Sequence, residues 1–253
     1  RWLPWRVPGG VAPILTAEWR SAPVLNPLPA SSGPSVSPLP EPQLTQLRNG
    51  ASLVKIQLPD APVVCLDLWC RAGSAWESEQ ESGIAHFLEH MVFKGSQTLE
   101  AGEFDLQIEA LGGTSNAATG FDDVHYHVLI PPEAAPQALE LLLDLVLRPR
   151  LDPSDFAMER QVVLEELAQS EDQPEEVAFQ ELLRQACGSH AYGLPILGRR
   201  EALEAHTPER MARFHQRHYT ADRCCLALAG PLEGLDLMPQ LEASALGDLS
   251  AGE

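Results

Sequence analysis

The sequence predicts an α+β domain in which helices pack on a mixed or antiparallel β-sheet. Short runs with alternating apolar and polar residues, typical of half-buried strands, stand beside longer segments with apolar residues at helical spacing. Strands and helices do not alternate strictly, which disfavours a doubly wound parallel sheet. Apolar residues make up 44% of the 253 residues, enough for the core of one large domain or two small ones.

The first 43 residues are predicted to form a disordered tail. Residues 1–42 contain ten of the 22 prolines, interspersed with Ser, Ala and Gly, a composition that does not build a packed core. Trp2, Trp5 and Trp19 are unusual in a pure linker and are candidates to dock elsewhere. The chain begins with Arg1 and shows no intact signal peptide, so we expect a processed product or a fragment.

The expected domain covers residues 44–235 and begins with two strands and a helix. Residues 53–58 and 63–69 alternate like strands, with a turn at Pro59-Asp60 between them. Ser82 is the predicted N-cap of a helix that runs to about Phe93 and ends at Lys94-Gly95.

A second helix and a β-hairpin are predicted next. Residues 103–111 have a helical pattern that Gly112-Gly113 stops, and residues 114–119 and 123–130 form a hairpin turned at Gly120. The alternation of the second strand separates two sets of side chains onto opposite faces of the sheet. One face carries His125, His127 and Leu129, and the other carries Tyr126, Val128 and Ile130.

Helices dominate the remainder of the predicted domain. Pro131-Pro132 begins a helix through Leu147, and Asp152 caps a long helix that starts at Pro153 and ends near Ser170. Residues 174–186 and 208–218 predict further helices, and residues 223–229 a last strand. Residues 236–253, rich in Leu, Ala, Gly and Ser, are expected to be a C-terminal tail or the start of another domain.

Composition excludes some classes of partner and leaves others open. The net charge is −19, with 17 basic against 36 acidic residues, which argues against nucleic-acid binding because phosphates need a basic surface. The same charge favours basic peptides as partners, or simply keeps the protein in solution. No apolar run is long enough to span a membrane. Five cysteines without the spacing of a disulfide scaffold predict the cytoplasm or another reducing compartment.

The most informative motif is HFLEH at residues 86–90, which has the H-x-x-E-H pattern of inverted zinc-peptidase motifs. On a helix, His86 and His90 share a face and can bind one metal ion, and Glu89 beside them can take a proton from the attacking water. The pattern is short, so two ordinary surface or core histidines are the alternative. A catalytic zinc also takes a third protein ligand.

The helix that starts at Pro153 offers carboxylates for that third position, namely Glu159, Glu165 and Glu166. Glu159 and Glu166 lie on one stripe of the helix together with Val163 and Ser170. Two carboxylates among apolar residues are costly unless a cation lies opposite them. The alternative is an ordinary acidic helix face in contact with solvent.

Together with flanking segments, the motif resembles the pitrilysin/insulinase family of zinc peptidases, which includes the mitochondrial processing peptidases and their bacterial relatives. The similarity extends over about residues 44–230. It comprises GIAHFLEHMVFKGS at 83–96, AGSAWE at 72–77, LGGTSNA at 111–117, the Glu-rich segment 159–167, YGLPILG at 192–198 and the segment 219–230. This resemblance implies a pitrilysin-like metallopeptidase domain.

The resemblance also implies a role for each site residue. His86 and His90 match the zinc ligands and Glu89 the catalytic base. Glu166 matches the third ligand, since it follows His90 by 76 residues, about the spacing in the family. Glu159 matches a further acidic residue that supports the ligands. Asn116 and Ala117 match the edge strand against which substrate is laid.

The function implied is that of a zinc-dependent endopeptidase acting on peptides or unfolded segments, with Zn²⁺ as cofactor. In the family a second domain supplies an Arg and a Tyr, so we expect a second peptidase domain or a partner subunit to complete the site. A non-catalytic or half-site subunit of a peptidase complex is the alternative. A purely structural zinc domain fits less well, because structural sites favour cysteine ligands and none lies near the motif.

Overall fold

The computed structural model describes residues 40–252, which lie in one compact unit. Most of the expected tail, including its three tryptophans, lies outside the described residues. The predicted α+β class is confirmed, with a mixed sheet that carries helices. None of the helices in the described part is long and apolar enough to cross a membrane.

A six-stranded sheet forms the centre of the described domain, in the order β1-β2-β6-β3-β5-β4. The pair β2–β6 is parallel and the other neighbours are antiparallel. The strands are β1 (Gln43–Gln46), β2 (Ser52–Gln57), β3 (Val64–Cys70), β4 (Thr114–Thr119), β5 (Val124–Ile130) and β6 (Cys224–Gly230). The predicted β4–β5 hairpin is present, and β6 lies between β2 and β3.

The described domain also contains eight α-helices. They are α1 (Ile84–Val92), α2 (Glu103–Ala110), α3 (Ala135–Leu147), α4 (Pro153–Glu171), α5 (Pro174–Cys187), α6 (Arg200–Ala205), α7 (Pro208–His218) and α8 (Met238–Glu242). Asp152 caps α4 as predicted, since its Oδ1 accepts a hydrogen bond of 2.8 Å from the Ser154 amide. Strand β1 and the short helices α6 and α8 were not predicted.

The core lies between one face of the sheet and the helices. On β5, Tyr126, Val128 and Ile130 are buried, whereas His125 and His127 face the other side and are half-buried. The predicted assignment of the β5 side chains to two faces of the sheet is therefore confirmed. Helix α1 packs against α4, where the rings of Phe87 and Phe156 are 4.5 Å apart.

The start of α1 differs from the sequence prediction. The N-cap is Gly83, not Ser82, and its φ of +81° is a left-handed conformation that glycine adopts without strain. The buried backbone amides at this helix end find their hydrogen-bond acceptors in Glu77. Its two carboxylate oxygens accept hydrogen bonds from the amides of Gly83 (2.8 Å) and Ala85 (2.9 Å). A carboxylate from an earlier segment thus replaces a capping hydroxyl.

Residues 236–252 pack as part of the same unit. Leu237, Leu241 and Leu246 are buried in the core, and the Asn49 side-chain amide donates a 2.7 Å hydrogen bond to the Leu246 carbonyl oxygen. Residues 236–252, predicted to be a C-terminal tail or the start of another domain, thus pack on the core and against the turn before β2. The apolar residues of this segment explain the packing, because they cover the core there.

Candidate metal centre

Helices α1 and α4 bring together the three residues expected to bind metal. His86 and His90 lie one turn apart on α1, and Oε2 of Glu166 on α4 is 3.7 Å and 3.4 Å from their respective Nε2 atoms. One ligand atom from each residue lies within 4.8 Å of the other two. Two ligands of a tetrahedral zinc ion are about 3.3 Å apart, given bonds of about 2.0–2.1 Å. The donor set and its spacing therefore fit zinc.

Glu159 fixes the orientation of one of these imidazoles. Its Oε1 is 2.9 Å from Nδ1 of His90, and its Oε2 is 2.6 Å from Nζ of Lys94. The Glu159 carboxylate is buried, and the contacts with His90 and Lys94 hold it in place. A metal-binding histidine usually donates its second N–H to such a partner, which directs the other nitrogen toward the ion.

The other imidazole is held by packing. His86 is 8% exposed, and its Nδ1 has no hydrogen-bond partner among residues 40–252. Its ring meets that of His90 edge-on, with the centroids 4.6 Å apart. The Nε2 atoms of both rings therefore face the same carboxylate.

The electrostatics of this cluster favour a cation between the helices. Burial lowers the pKa of His86 to about 4, and the charge of His90 acts in the same direction. Burial also acts to lower the pKa of His90, but hydrogen bonds with Glu159 and Glu166 outweigh it and raise that pKa to about 9. The hydrogen bond with His90 lowers the pKa of Glu166. Two carboxylates thus stabilise positive charge here, whether a proton or a metal ion.

Glu89 adjoins the cluster from the same helix. Its Oε2 accepts a hydrogen bond from the Thr119 hydroxyl on β4. Burial raises the pKa of Glu89, and the hydrogen bond from Thr119 opposes that shift. Glu89, Thr119 and the side chains of His86 and Glu166 line an open cavity of about 620 Å³. The carboxylate therefore shares a solvent-accessible cavity with two of the three candidate ligands.

Strand β4 borders this cavity at the edge of the sheet. Ala117 lines the cavity beside Glu89, and Asn116 is exposed. The Ala117 amide donates a 2.9 Å hydrogen bond to Oδ1 of Asn116. Since this amide bonds to a side chain, it points to the free edge of the strand, away from β5. This edge can accept another strand.

The structure thus brings together, in or beside one site, all seven residues to which the family resemblance assigns a role: His86, Glu89, His90, Asn116, Ala117, Glu159 and Glu166. Two further residues, Lys94 and Thr119, were not identified from the sequence. The need for a cation opposite Glu159 could have indicated Lys94, which lies four residues after His90. Glu165 lies elsewhere: it is exposed and borders a separate depression together with Arg160 and Arg200.

Comparisons with known proteins agree with this geometry. Residues 53–200 match the model of the family described as insulinase (peptidase family M16). An uncharacterized zinc protease of Rickettsia bellii is 30% identical over 210 residues, which are 83% of this chain and 51% of that protein. A probable mitochondrial-processing peptidase subunit beta of Arabidopsis thaliana is 31% identical over 203 residues, 80% of this chain and 38% of the relative.

Solved structures show the same fold. A protease from Helicobacter pylori superposes with a TM-score of 0.79 at 28% identity, covering 85% of this chain and 52% of that one. The chain spans about half the length of the Rickettsia relative and of this solved protease. The family match covers more than half of the sequence and includes all of α1 and α4, which carry the candidate metal ligands. The chain belongs to the insulinase family of peptidases, family M16.

Proposed function

We propose that this chain is the metal-binding half of a zinc-dependent endopeptidase that hydrolyses peptides or unfolded segments. The observation that carries this proposal is the convergence of His86, His90 and Glu166 beside the carboxylate of Glu89. Relatives named as zinc proteases support zinc as the metal. When bound, zinc would supply Lewis-acid chemistry, polarising the scissile carbonyl and lowering the pKa of a water molecule toward about 7.

The residues of the chain would then perform three tasks. His86, His90 and Glu166 hold the ion, and Glu159 with Lys94 keeps the ring of His90 in place. Glu89 accepts the proton of the attacking water and passes it to the leaving amine. The Thr119 hydroxyl, which donates to Glu89, keeps that carboxylate turned toward the cavity.

Strand β4 is the proposed platform for the substrate. An extended peptide would pair with its free edge at Asn116 and Ala117, replacing the local hydrogen bond between these two residues. Main-chain pairing positions the scissile bond through the backbone of the substrate and not through its side chains. This mode of binding suits unfolded segments of varied sequence. The net charge of −19 favours basic peptides. The cysteine content supports a reducing compartment as the place of action.

A second domain or a partner subunit would complete the site. The chain spans 51% of the Rickettsia relative and 52% of the Helicobacter pylori protease. By the family resemblance, the other half contributes an Arg and a Tyr that stabilise charge on the substrate carbonyl. The same observation favours the second candidate function, a non-catalytic or half-site subunit of a peptidase complex.

Zinc content measured together with turnover of a quenched peptide tests the proposal. The chain alone should bind zinc at this centre but turn over at least about 10²-fold more slowly than the longest native product at equal zinc occupancy. Equal turnover by a demonstrably monomeric short chain would rule out the half-site proposal. A zinc-loaded native product with no turnover would instead identify the non-catalytic subunit.

A further inference from the structure

A second cluster of metal-binding side chains lies on the other face of the sheet. Asp67 on β3 pairs directly with His127 on β5, and Trp69 pairs with His125 two residues further along. Because side chains alternate between the faces of a strand, these four residues share one face. It is opposite to the face on which Leu66, Leu68 and Tyr126 are buried in the core. Asp67, His125 and His127 are half-buried.

Their geometry is compact. Nδ1 of His125 is 3.0 Å from Oδ1 of Asp67, and one ligand atom from each of Asp67, His125 and His127 lies within 4.8 Å of the other two. The His125 ring stacks with two others, with its centroid 4.3 Å from that of Trp69 and 5.6 Å from that of His127. This stacking limits the rotation of His125, so its nitrogen stays directed at Asp67.

One nitrogen in the cluster is not satisfied. Nδ1 of His127 is buried and has no hydrogen-bond partner within the described part of the chain. A buried polar atom without a partner costs about 1–3 kcal/mol, so a ligand that engages this histidine is favoured. Two imidazoles and one carboxylate are a donor set for Zn²⁺, Co²⁺, Ni²⁺ or Cu²⁺ rather than for Ca²⁺ or Mg²⁺, which prefer oxygen.

We propose that Asp67, His125 and His127 form a second metal site that binds a divalent transition-metal ion across strands β3 and β5. The pair Asp67–His125 already has nearly the separation of about 3.3 Å that two ligands of a tetrahedral ion adopt. The ion replaces the proton that these two residues share. His127 offers a ligand atom within 4.8 Å of those of Asp67 and His125.

This site is separate from the centre on α1 and α4. On β4, Thr119 contacts Glu89 of that centre, whereas Ala118 pairs with His125. Neighbouring residues of one strand point to opposite faces, so the sheet separates the two sites. Each should bind its ion without the other. An ion at the second site links two strands only in the folded state and therefore stabilises the fold.

Titration of the metal-free 253-residue chain with Co²⁺ tests the proposal, because Co²⁺ bound next to Trp69 quenches its fluorescence. We expect two equivalents of Co²⁺ and quenching that Trp69→Phe abolishes. Glu166→Gln should weaken Co²⁺ binding at the centre on α1 and α4 and leave the Trp69 quenching intact. His127→Asn and Asp67→Asn should each remove one equivalent and the quenching. His190→Asn, at an exposed histidine that belongs to neither cluster, is the matched control and should change nothing.

Circular dichroism of each metal-free variant separates loss of the site from loss of the fold. If His127→Asn and Asp67→Asn fold as the parent does and keep both equivalents of Co²⁺, the proposal is wrong. It is equally wrong if the parent chain binds one equivalent, and Glu166→Gln removes it. A folded His127→Asn variant with one equivalent and an unquenched Trp69 supports the site.

Discussion

His90 and Glu159 form a hydrogen bond of 2.9 Å that joins α1, which carries the proposed zinc ligands His86 and His90, to α4. The same carboxylate contacts Lys94 at 2.6 Å, so it cannot turn away without losing an ion pair inside the protein. The orientation of one proposed ligand is thus set from another helix.

The first prediction concerns this contact. Glu159→Gln keeps an oxygen that can accept from His90 and should weaken zinc binding about tenfold, while Glu159→Ala should weaken it by up to about 100-fold. Competition with a calibrated chelator measures both. Met158→Leu, a change at the exposed neighbouring position, should have no effect. Unchanged zinc affinity in Glu159→Ala would show that zinc binding does not depend on the hydrogen bond between His90 and Glu159.

The second prediction separates two adjacent carboxylates on α4. Glu166→Gln should reduce zinc affinity sharply, because Oε2 of Glu166 faces both Nε2 atoms of the histidine pair. Glu165→Gln should do little, since Glu165 is exposed and lies outside the cluster. Zinc content after gel filtration measures both. If the Glu165 variant loses the metal and the Glu166 variant keeps it, the ligand assignment is wrong.

The third prediction tests the proposed base. Glu89→Gln should retain zinc and lose peptide hydrolysis, measured on the longest native product, because Gln cannot accept the proton. General-base catalysis is worth about 10²–10⁴ in rate, and a loss in that range is expected. Loss of zinc in this variant would make Glu89 a ligand. Full activity would exclude it as the base.

Particular residues show what the sequence could predict. The HFLEH motif places two histidines and a glutamate by helix geometry alone, and the β5 alternation separates the side chains of this strand onto two faces as observed. Both patterns are local and strongly periodic. The proximity of Glu166 to the motif came from the family resemblance, because no local pattern relates residues 76 positions apart.

The unpredicted features depend on contacts distant in sequence or on short segments. Strand β1 is exposed at all four positions and has no alternating burial, since it forms only by pairing with β2. Gly83 rather than Ser82 caps α1 because Glu77, six residues earlier, supplies the acceptors. The cluster of Asp67 with His127 depends on strand register, which propensity does not set.

The fourth prediction concerns the cap of α1. Glu77→Gln leaves one acceptor oxygen for two buried amides, so it should lower the free energy of unfolding by about 1–3 kcal/mol. Urea unfolding of the zinc-free chain measures this change in the free energy of unfolding. Glu109→Gln, at an exposed position of α2, is the matched control. Equal stability of the two variants would show that the second acceptor oxygen of Glu77 is dispensable.

The fifth prediction concerns pH. His215 is buried, and its Nε2 donates to the Val146 carbonyl oxygen at 2.9 Å. Burial lowers the pKa of His215 to about 4, with the hydrogen bond to Val146 opposing that shift. An unfolded histidine titrates near pH 6.5, so between about pH 4 and 6.5 the unfolded chain binds more protons. The stability contributed by His215 is therefore present above pH 6.5 and is lost as the pH falls toward 4.

His215→Gln should flatten this dependence. From pH 7 to pH 5 the parent should lose about 2 kcal/mol more stability than the variant, on the same zinc-free buffer series. Other buried histidines titrate in both proteins, so the difference between the two slopes isolates His215. Parallel slopes would mean that His215 titrates alike in the folded and unfolded chains.

The position of β6 has a consequence for how the protein is made. This strand ends at Gly230, yet it fills the gap between β2 and β3, which precede residue 71. At about 5–20 residues per second, the ribosome needs on the order of ten seconds to deliver it after β3 has emerged. During that interval two apolar strands have unpaired edges, which are open to non-native strand pairing. Termination of synthesis before Cys224 would leave the middle of the sheet empty and the strands on either side of it without a partner.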